Sequence, residues 1–485
     1  MPSAFRTPHH SLTSIELPYA DWSSASALFS PFANEPWAML LDSADSTHHD
    51  SRYAILVRQP DHQLVRSFTD DPQATPFQEL KQILASFSRY TGPHELPFTG
   101  GALGYIGYDA ARWQEHITPA ARAQPVEAAG KPTHTATPSH AAQPDIAIPD
   151  IALGFYQHAL IIDHQQRKAY ALGPEEQLSH AWVAQFWRPQ VARGEVDFRL
   201  TSAWQSNLDE PAYHTRIAQV HDHLNAGDCY QINLAQRFQA SFSGSIWQAY
   251  LALREANQAP FSAYLCLPQG QVLSLSPERF LRTDSLGNVQ TKPIKGTRPR
   301  STDAQQDAAN QAALLASQKD RAENLMIVDL LRNDLSRACK PGTVRVPELF
   351  ALESFAAVHH LVSTVEGQLA NPLDSVELIQ AAFPGGSITG APKVSAMRII
   401  ESLEPHRRHV YCGSIGYLNQ DGSSDTNIAI RTLIACQQQL YCWAGGGIVL
   451  DSEAAAEYQE TFDKVARILP VLSQLHAGLP AYDPQ

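Results

Sequence analysis

What most restricts the fold of this 485-residue chain is the way its strand-like runs are joined. Runs such as Trp37–Leu41, Tyr53–Val57, His158–Asp163, Val272–Leu275, Val289–Thr291 and Gly413–Leu418 alternate with long helical stretches, and hairpin-type turns connect them. A hairpin makes an antiparallel pair, whereas parallel neighbours need a crossover of about a dozen residues or more. The pattern predicts an α+β chain with mainly antiparallel sheets. No repeat of roughly 20–50 residues is evident, which disfavours a solenoid or propeller.

The apolar content of 44% is enough to fill a sizeable core. A formal net charge of −13 argues against nucleic acid, whose phosphates draw on clustered Lys and Arg. A few basic groups in one pocket would still suffice for a small anion. The six cysteines are scattered without a CxxC pair, as expected of reduced thiols in a cytosolic protein. The N-terminal stretch lacks the apolar core of a signal peptide, and no apolar run reaches membrane-spanning length. The chain reads as soluble and cytoplasmic.

Two regions divide it, residues 1–203 and residues 204–478, the second carrying the dense polar-in-apolar strings. In the first, Gly100–Tyr108 (GGALGYIGY) lacks the Lys-Ser/Thr ending of a phosphate loop and reads as a tight turn between buried strands. Thr118–Pro144, rich in Ala, Pro, His, Thr and Gln, reads as a disordered surface insertion. His116, His134 and His140 lack the spacing of a metal site.

Two helical stretches carry paired acids. Ala308–Arg337 has strong helix formers and no Pro or Gly, and reads as one helix or two abutting ones. Asp320 and Glu323 share a face there, and Glu323 precedes the apolar run Leu325–Leu331. A carboxylate beside such a run needs a partner, because desolvating it alone costs several kcal/mol, on the order of a whole domain's margin of stability. Asp451–Leu469 repeats the spacing with Glu457 and Glu460, and Lys464 follows one turn on. Two such pairs could supply the oxygen ligands that Mg2+ prefers. Solvated helix faces, with Glu460–Lys464 as a surface pair, would produce the same spacing.

Leu273–Lys295 reads as a hairpin around Asp284–Asn288. A turn centred between Leu286 and Gly287 would set Glu278 directly opposite Lys295, with Cβ atoms about 4.5–5.5 Å apart. A slip of one residue would send them to opposite faces. Such a pair, if sheltered, offers a lysine nucleophile and a carboxylic acid donor; if not, it is an ordinary cross-strand ion pair.

These strings together resemble the chorismate-utilising synthases. The resemblance runs through Gly227–Phe238 (GDCYQINLAQRF), Ser276–Phe280 (SPERF), Pro293–Arg300 (PIKGTRPR) and Asp320–Asp334 (DRAENLMIVDLLRND). It continues through His359–Gly367 (HHLVSTVEG), Phe383–Lys393 (FPGGSITGAPK), Asp425–Thr432 (DTNIAIRT), Ala444–Ser452 (AGGGIVLDS) and Glu457–Thr461 (EYQET). It implies two large antiparallel β-sheets stacked face to face with helices outside and a cleft between them. It also implies Mg2+ on Glu323 and Glu460 with Asp320 and Glu457 as neighbouring acids, and leaving-group acid–base work for Glu278. By the same resemblance His360, Ser387, Tyr411, Arg431, Gly445, Gly446, Gly447 and Lys464 line the site of chorismate, a dianion whose ring hydroxyl must leave. Cations and exposed backbone amides suit two carboxylates. For Arg431 alone a structural salt bridge is an equally ordinary role, as a turn is for the glycines.

Two positions separate members of the family. Isochorismate-type members resemble one another in a water-activating lysine where this chain has Gln231, and an amide cannot act as that base. Anthranilate-type members have alanine where this chain has Lys295. Lysine there resembles the branch that makes 4-amino-4-deoxychorismate, on the route to p-aminobenzoate and folate. The implied route is covalent: Lys295 attacks C2 as Glu278 protonates the departing C4 hydroxyl, then ammonia adds at C4 and expels the amine. No segment resembles a glutaminase, so a separate glutamine amidotransferase subunit is the expected ammonia source. Leu40–Ala44 (LLDSA) with Ser51 and Arg52 resembles the tryptophan pocket of anthranilate synthases, making Ser43 and Arg52 candidate ligands of tryptophan. Asp42 stands where glutamate is usual. The rivals are anthranilate synthase, a non-catalytic amino-acid-sensing subunit, which would be expected to lose Glu278, Glu323 or Glu460, and a Mg2+-dependent hydrolase, which Gln231 disfavours.

Overall fold

The structure is a computed structural model that describes residues 11–43, 51–115, 117, 145–188, 197–354 and 358–475. The Thr118–Pro144 segment, His116, Ala44 and the C-terminal residues lie outside that set. Strand runs whose successive side chains are all apolar need cover on both faces, and this chain provides it with two sheets and an outer layer of helices. Among the described residues one sheet has 13 strands and the other 10. At the centre of the larger lie, side by side, Met39–Asp42, Phe261–Leu267, Gly270–Ser276, Thr432–Cys436, Gln439–Ile448 and Gln231–Ser243, paired antiparallel. The smaller runs from Ile294–Pro299 and Val358–Gln368 through Arg279–Thr283 and Ser414–Asn419 to Gly101–Ile106 and His62–Arg66. The expected stacked antiparallel architecture is what forms.

Period-two alternation sorts the core. Met39, Ile55, Leu265 and Val272 point between the sheets, where they meet Leu103, Tyr105, Leu153, Phe155, Leu281 and Val365. Their neighbours Leu40, Leu56, Tyr264 and Leu273 point outward under a helical layer that includes Trp247 and Tyr250. Described strands of the first 203 residues enter both sheets, Tyr53–Val57 and Ala159–Asp163 the larger, Gly101–Ile106 and Ile151–Tyr156 the smaller. Among the described residues no helix is long and apolar enough to cross a membrane.

Two local readings are corrected. Gly100–Tyr108 does not turn: Gly101–Ile106 is a fully buried strand. Its glycines serve close packing, since a Cβ on Gly104 would come within 2.1 Å of the Ala152 carbonyl. The hairpin at Asp284–Asn288 forms, but its register differs by one residue, with Arg282 opposite Gln290 and Thr283 opposite Val289. Lys295 is therefore not the cross-strand neighbour of Glu278. It pairs instead with Leu361 on Val358–Gln368. Glu278 falls in the short link where the chain leaves the larger sheet at Ser276 and enters the smaller at Arg279. The two groups still reach one space, where Ser387 Oγ meets Glu278 and the Ser387 carbonyl meets Lys295 Nζ.

The Ala308–Arg337 stretch resolves into two helices, Ala304–Ala316 and Gln318–Ser336. Ser317 between them is extended and caps the second, its Oγ accepting from the Asp320 amide at 3.2 Å. The break places Asp320 and Glu323 in the opening turns of the second helix. The C-terminal acids ride on Ala454–Val465.

Candidate active site

A cleft of about 790 Å³ gathers Lys295, Glu278, Asp320, Glu323, Glu457, Glu460, His360, Ser387, Tyr411, Arg431, Gly445, Gly447 and Lys464 along its walls. Gly446 stands just behind, and a Cβ there would sit 3.0 Å from Glu457 Oε2 and 3.2 Å from Glu460 Oε1. The three glycines are not in a turn. They occupy the strand Gln439–Ile448, paired with Asn233, Leu234 and Ala235, so bare backbone faces the acids.

Glu278 is 6% exposed. Burial pushes its carboxyl up to about 7, against the pull of Lys295, the Ser387 hydroxyl and the Ile294 backbone amide. Ser387 Oγ donates to Glu278 Oε1 at 3.0 Å, and the Ser387 carbonyl accepts from Lys295 Nζ at 3.4 Å. Burial lowers the Lys295 amine below the usual lysine range, with Glu323 and Glu278 opposing. No ion pair closer than 4 Å joins Lys295 to Glu278 among the described residues; Ser387 spans them. The result is a carboxylic acid and an amine, both biased towards neutrality, around one space.

The acids differ among themselves. Burial raises Glu323 and Glu457, with nearby acids adding to the effect. Burial disfavours charge on Glu460 too, but Lys464 at 2.6 Å, helped by Lys295 and Lys319, outweighs it and holds the carboxyl low. The Glu460–Lys464 pair thus belongs to the cleft, where Lys464 also donates to the Gly445 carbonyl at 2.6 Å. Asp320 turns to Arg298 at 3.1 Å. Glu457 Oε1 accepts from Ser452 Oγ at 2.7 Å, while its buried Oε2 has no partner among the described residues.

Arg431 makes no ion pair among the described residues, and burial lowers its pKa. Among the described residues nothing fills the salt-bridge role, and the guanidinium faces the cleft without an anion from them. His360 Nδ1 lies 2.9 Å from Thr297 Oγ1, and Tyr411 stacks on Trp443 at 6.1 Å and 10°. Sequence reading missed Trp443, Asn233, Thr297 and Lys319 on these walls. Asn233 was within reach, two residues along the strand from Gln231. Trp443 had no signal beyond its place before the glycine run.

Ser43 and Arg52 are not part of this cleft. Ser43 is buried, and Arg52 pairs with Asp163 at 2.7 Å. A cavity of about 90 Å³ nearby is lined by Leu41, Asp42, Tyr53, Phe261, Tyr417 and others but by neither of them. Asp42 there is held by Arg254. A separate buried group, Asp109, Asp150 and His409, brings its ligand atoms within 4.8 Å of one another, but Arg112 already meets Asp109 at 3.2 Å. It reads as a charge-balanced network.

An acid-walled cleft between two stacked antiparallel sheets, with a buried acid and a depressed lysine, places the chain in the family of chorismate binding enzymes, and it belongs there: the family's sequence model matches residues 38–470. The chain is 49% identical over 467 residues to the aminodeoxychorismate synthase component 1 of Klebsiella aerogenes, covering 94% of this chain and 98% of that protein. The Escherichia coli K12 protein of the same name is 48% identical over 468 residues, covering 93% and 96%. Among solved structures, anthranilate synthase component I from Streptococcus pneumoniae superposes with a TM-score of 0.72 at 29% identity, covering 86% of this chain and 92% of that one.

Proposed function

We propose that this chain aminates chorismate at C4, giving 4-amino-4-deoxychorismate for p-aminobenzoate and folate synthesis. The observation that carries this is Lys295 standing with Glu278 around Ser387 in the acid-walled cleft. The relatives named aminodeoxychorismate synthase component 1 support the same reading, and the word component supports a second subunit, a glutamine amidotransferase that would deliver ammonia. The six free buried cysteines suit a cytoplasmic enzyme.

In this route the neutral Lys295 amine bonds to C2, both ring double bonds shift, and the C4 hydroxyl leaves as water with the Glu278 proton. Ammonia then bonds to C4, both double bonds return, the C2–N bond breaks to release the neutral Lys295 amine, and the new C4 ammonium gives a proton back to the Glu278 carboxylate. Two allylic displacements replace one difficult substitution. Arg431, Lys464 and the Gly445–Gly447 amides would hold the carboxylates. Chorismate, Mg2+ and an ammonium salt with the isolated chain should give 4-amino-4-deoxychorismate by mass and retention time. Anthranilate or isochorismate as the main product would overturn the assignment, and turnover of glutamine by this chain alone would overturn the partner.

The cleft fits Mg2+. Its acids are hard oxygen donors on two helices, Glu457 Oε2 is buried without a partner among the described residues, and only a glycine leaves room beside Glu457 and Glu460. Glu323 and Glu460, with Asp320 and Glu457 close by, would hold the ion, which when bound would supply positive charge to a substrate carboxylate. Chelation is expected to abolish turnover and added Mg2+ to restore it. Glu460→Gln should weaken Mg2+ binding by roughly a hundredfold, read as loss of the Mg2+-dependent rise in melting temperature. An unchanged Mg2+ titration in that variant would remove Glu460 from the ligand set.

Arg431→Ala is expected to raise the KM for chorismate by about tenfold or more, since one charge-assisted carboxylate contact contributes roughly 1.5–3 kcal/mol. An unaltered KM would mean that another cation receives the carboxylate.

A further inference from the structure

We propose that Arg408 is a positioning residue whose guanidinium, anchored by Glu404 behind the cleft wall, fixes the Ser387–Ile388 turn and through it both Glu278 and Lys295. The inference rests on the functional reading of the cleft given above. Arg408 does not line the cleft, and its side chain is 1% exposed. Its nitrogens serve five acceptors among the described residues: Nε to Glu404 Oε2 at 2.9 Å, Nη2 to Glu404 Oε1 at 2.6 Å, to the Asn233 carbonyl at 2.8 Å and to Asn233 Oδ1 at 3.5 Å, and Nη1 to the Ile388 carbonyl at 3.0 Å. Glu404 Oε1 also accepts from the Ala235 amide at 2.9 Å, which ties the ion pair to the strand facing the glycines.

The consequences converge on the reacting groups. Ile388 follows Ser387, the residue whose hydroxyl donates to Glu278 and whose carbonyl accepts from Lys295. Asn233 and Tyr411 line the same cleft, and the Tyr411 amide donates to the Arg408 carbonyl at 2.9 Å. A buried ion pair is no better for stability than apolar packing of the same shape. Its fork geometry, however, can hold two carbonyls more than 150 residues apart in the chain, Asn233 and Ile388, at set positions. A single ammonium cannot serve both carbonyls and the carboxylate in that plane.

The test is Arg408→Lys, which keeps the charge, measured by steady-state amination with ammonium, by calorimetric chorismate affinity with Mg2+, and by its crystal structure. We expect kcat to fall about 10–100-fold, as for a displacement near 1 Å, with chorismate affinity within roughly threefold of the parent. The Ser387 carbonyl should be displaced in the crystal. A folded variant with kcat within about twofold of the parent, or a loss confined to KM, would overturn the proposal. If Arg408→Lys does not fold, the double change Arg408→Met with Glu404→Leu removes both charges together, and the same outcomes apply. Failure of the functional reading shows separately, as a parent protein that yields no 4-amino product. The crystal structure of the variant then still decides whether Arg408 sets the Ser387 turn.

Discussion

Lys295→Ala is expected to lower amination of chorismate by about a thousandfold or more while leaving the fold intact. Lys295 is only half-buried, and among the described residues its side chain is in no ion pair and makes one hydrogen bond, to the Ser387 carbonyl, long at 3.4 Å, so little stability depends on it. Its chemistry depends on burial. Desolvation lowers the amine's pKa against the opposing pull of Glu323 and Glu278, which raises the neutral, nucleophilic fraction at working pH. The sharper measurement is intact mass. Parent protein mixed with chorismate and Mg2+ without ammonia, then quenched, should carry an adduct of chorismate less water, mapped to the peptide containing Lys295. The alanine variant should carry none. Amination at the parent rate by that variant would exclude the covalent route.

Glu278→Gln should cost about a hundredfold to ten-thousandfold in kcat, the usual range for a lost general acid. The pH profile tells whether the acid is the right one. With its carboxyl raised to about 7 by burial, Glu278 is protonated below that pH and loses the proton as pH rises through it. An acid that must donate therefore gives a rate that declines on the alkaline side of about pH 7. Lys295 must be neutral, so its contribution declines in the acid direction, and the product is a bell whose apparent values belong to the pair. The charged groups that face Glu278, namely Lys295 and Lys464, both favour its ionised form. Removing Lys295 should therefore move the alkaline limb upward. The measurement is kcat against pH at constant free ammonia, because ammonia supply itself rises with pH. In Glu278→Gln the alkaline limb should vanish. A limb that stays in place would assign it to another group and take the acid role from Glu278.

Much of the site was legible before any fold was known, because its chemistry is local. Asp320–Glu323 and Glu457–Glu460 share helix faces by spacing alone. The strand runs were legible for the same reason: Tyr53–Val57 and Ala159–Asp163 form where apolar residues cluster. The glycines misled. Glycine signals freedom of the backbone or lack of room for a side chain, and the sequence does not say which. At Gly445–Gly447 the second holds, as a Cβ would crowd the neighbouring strand and side chains, whereas at Gly101 and Gly104 a positive φ and a Cβ collision coincide.

The residue types of the reaction, an acid, an amine and four metal-suited carboxylates, are written in the chain, since neighbours three or four apart on a helix must share a face. Which of them meet is decided by the sheets. Glu278 and Lys295 come together between the link that leaves the larger sheet and a strand of the smaller one, a meeting that the hairpin register by itself does not give. Trp443, Ser387 and the buried Arg408–Glu404 pair join them from distant segments for the same reason. Burial, which sets the protonation of Glu278 and Lys295, is a property of the packed layers around them and of no stretch of sequence by itself.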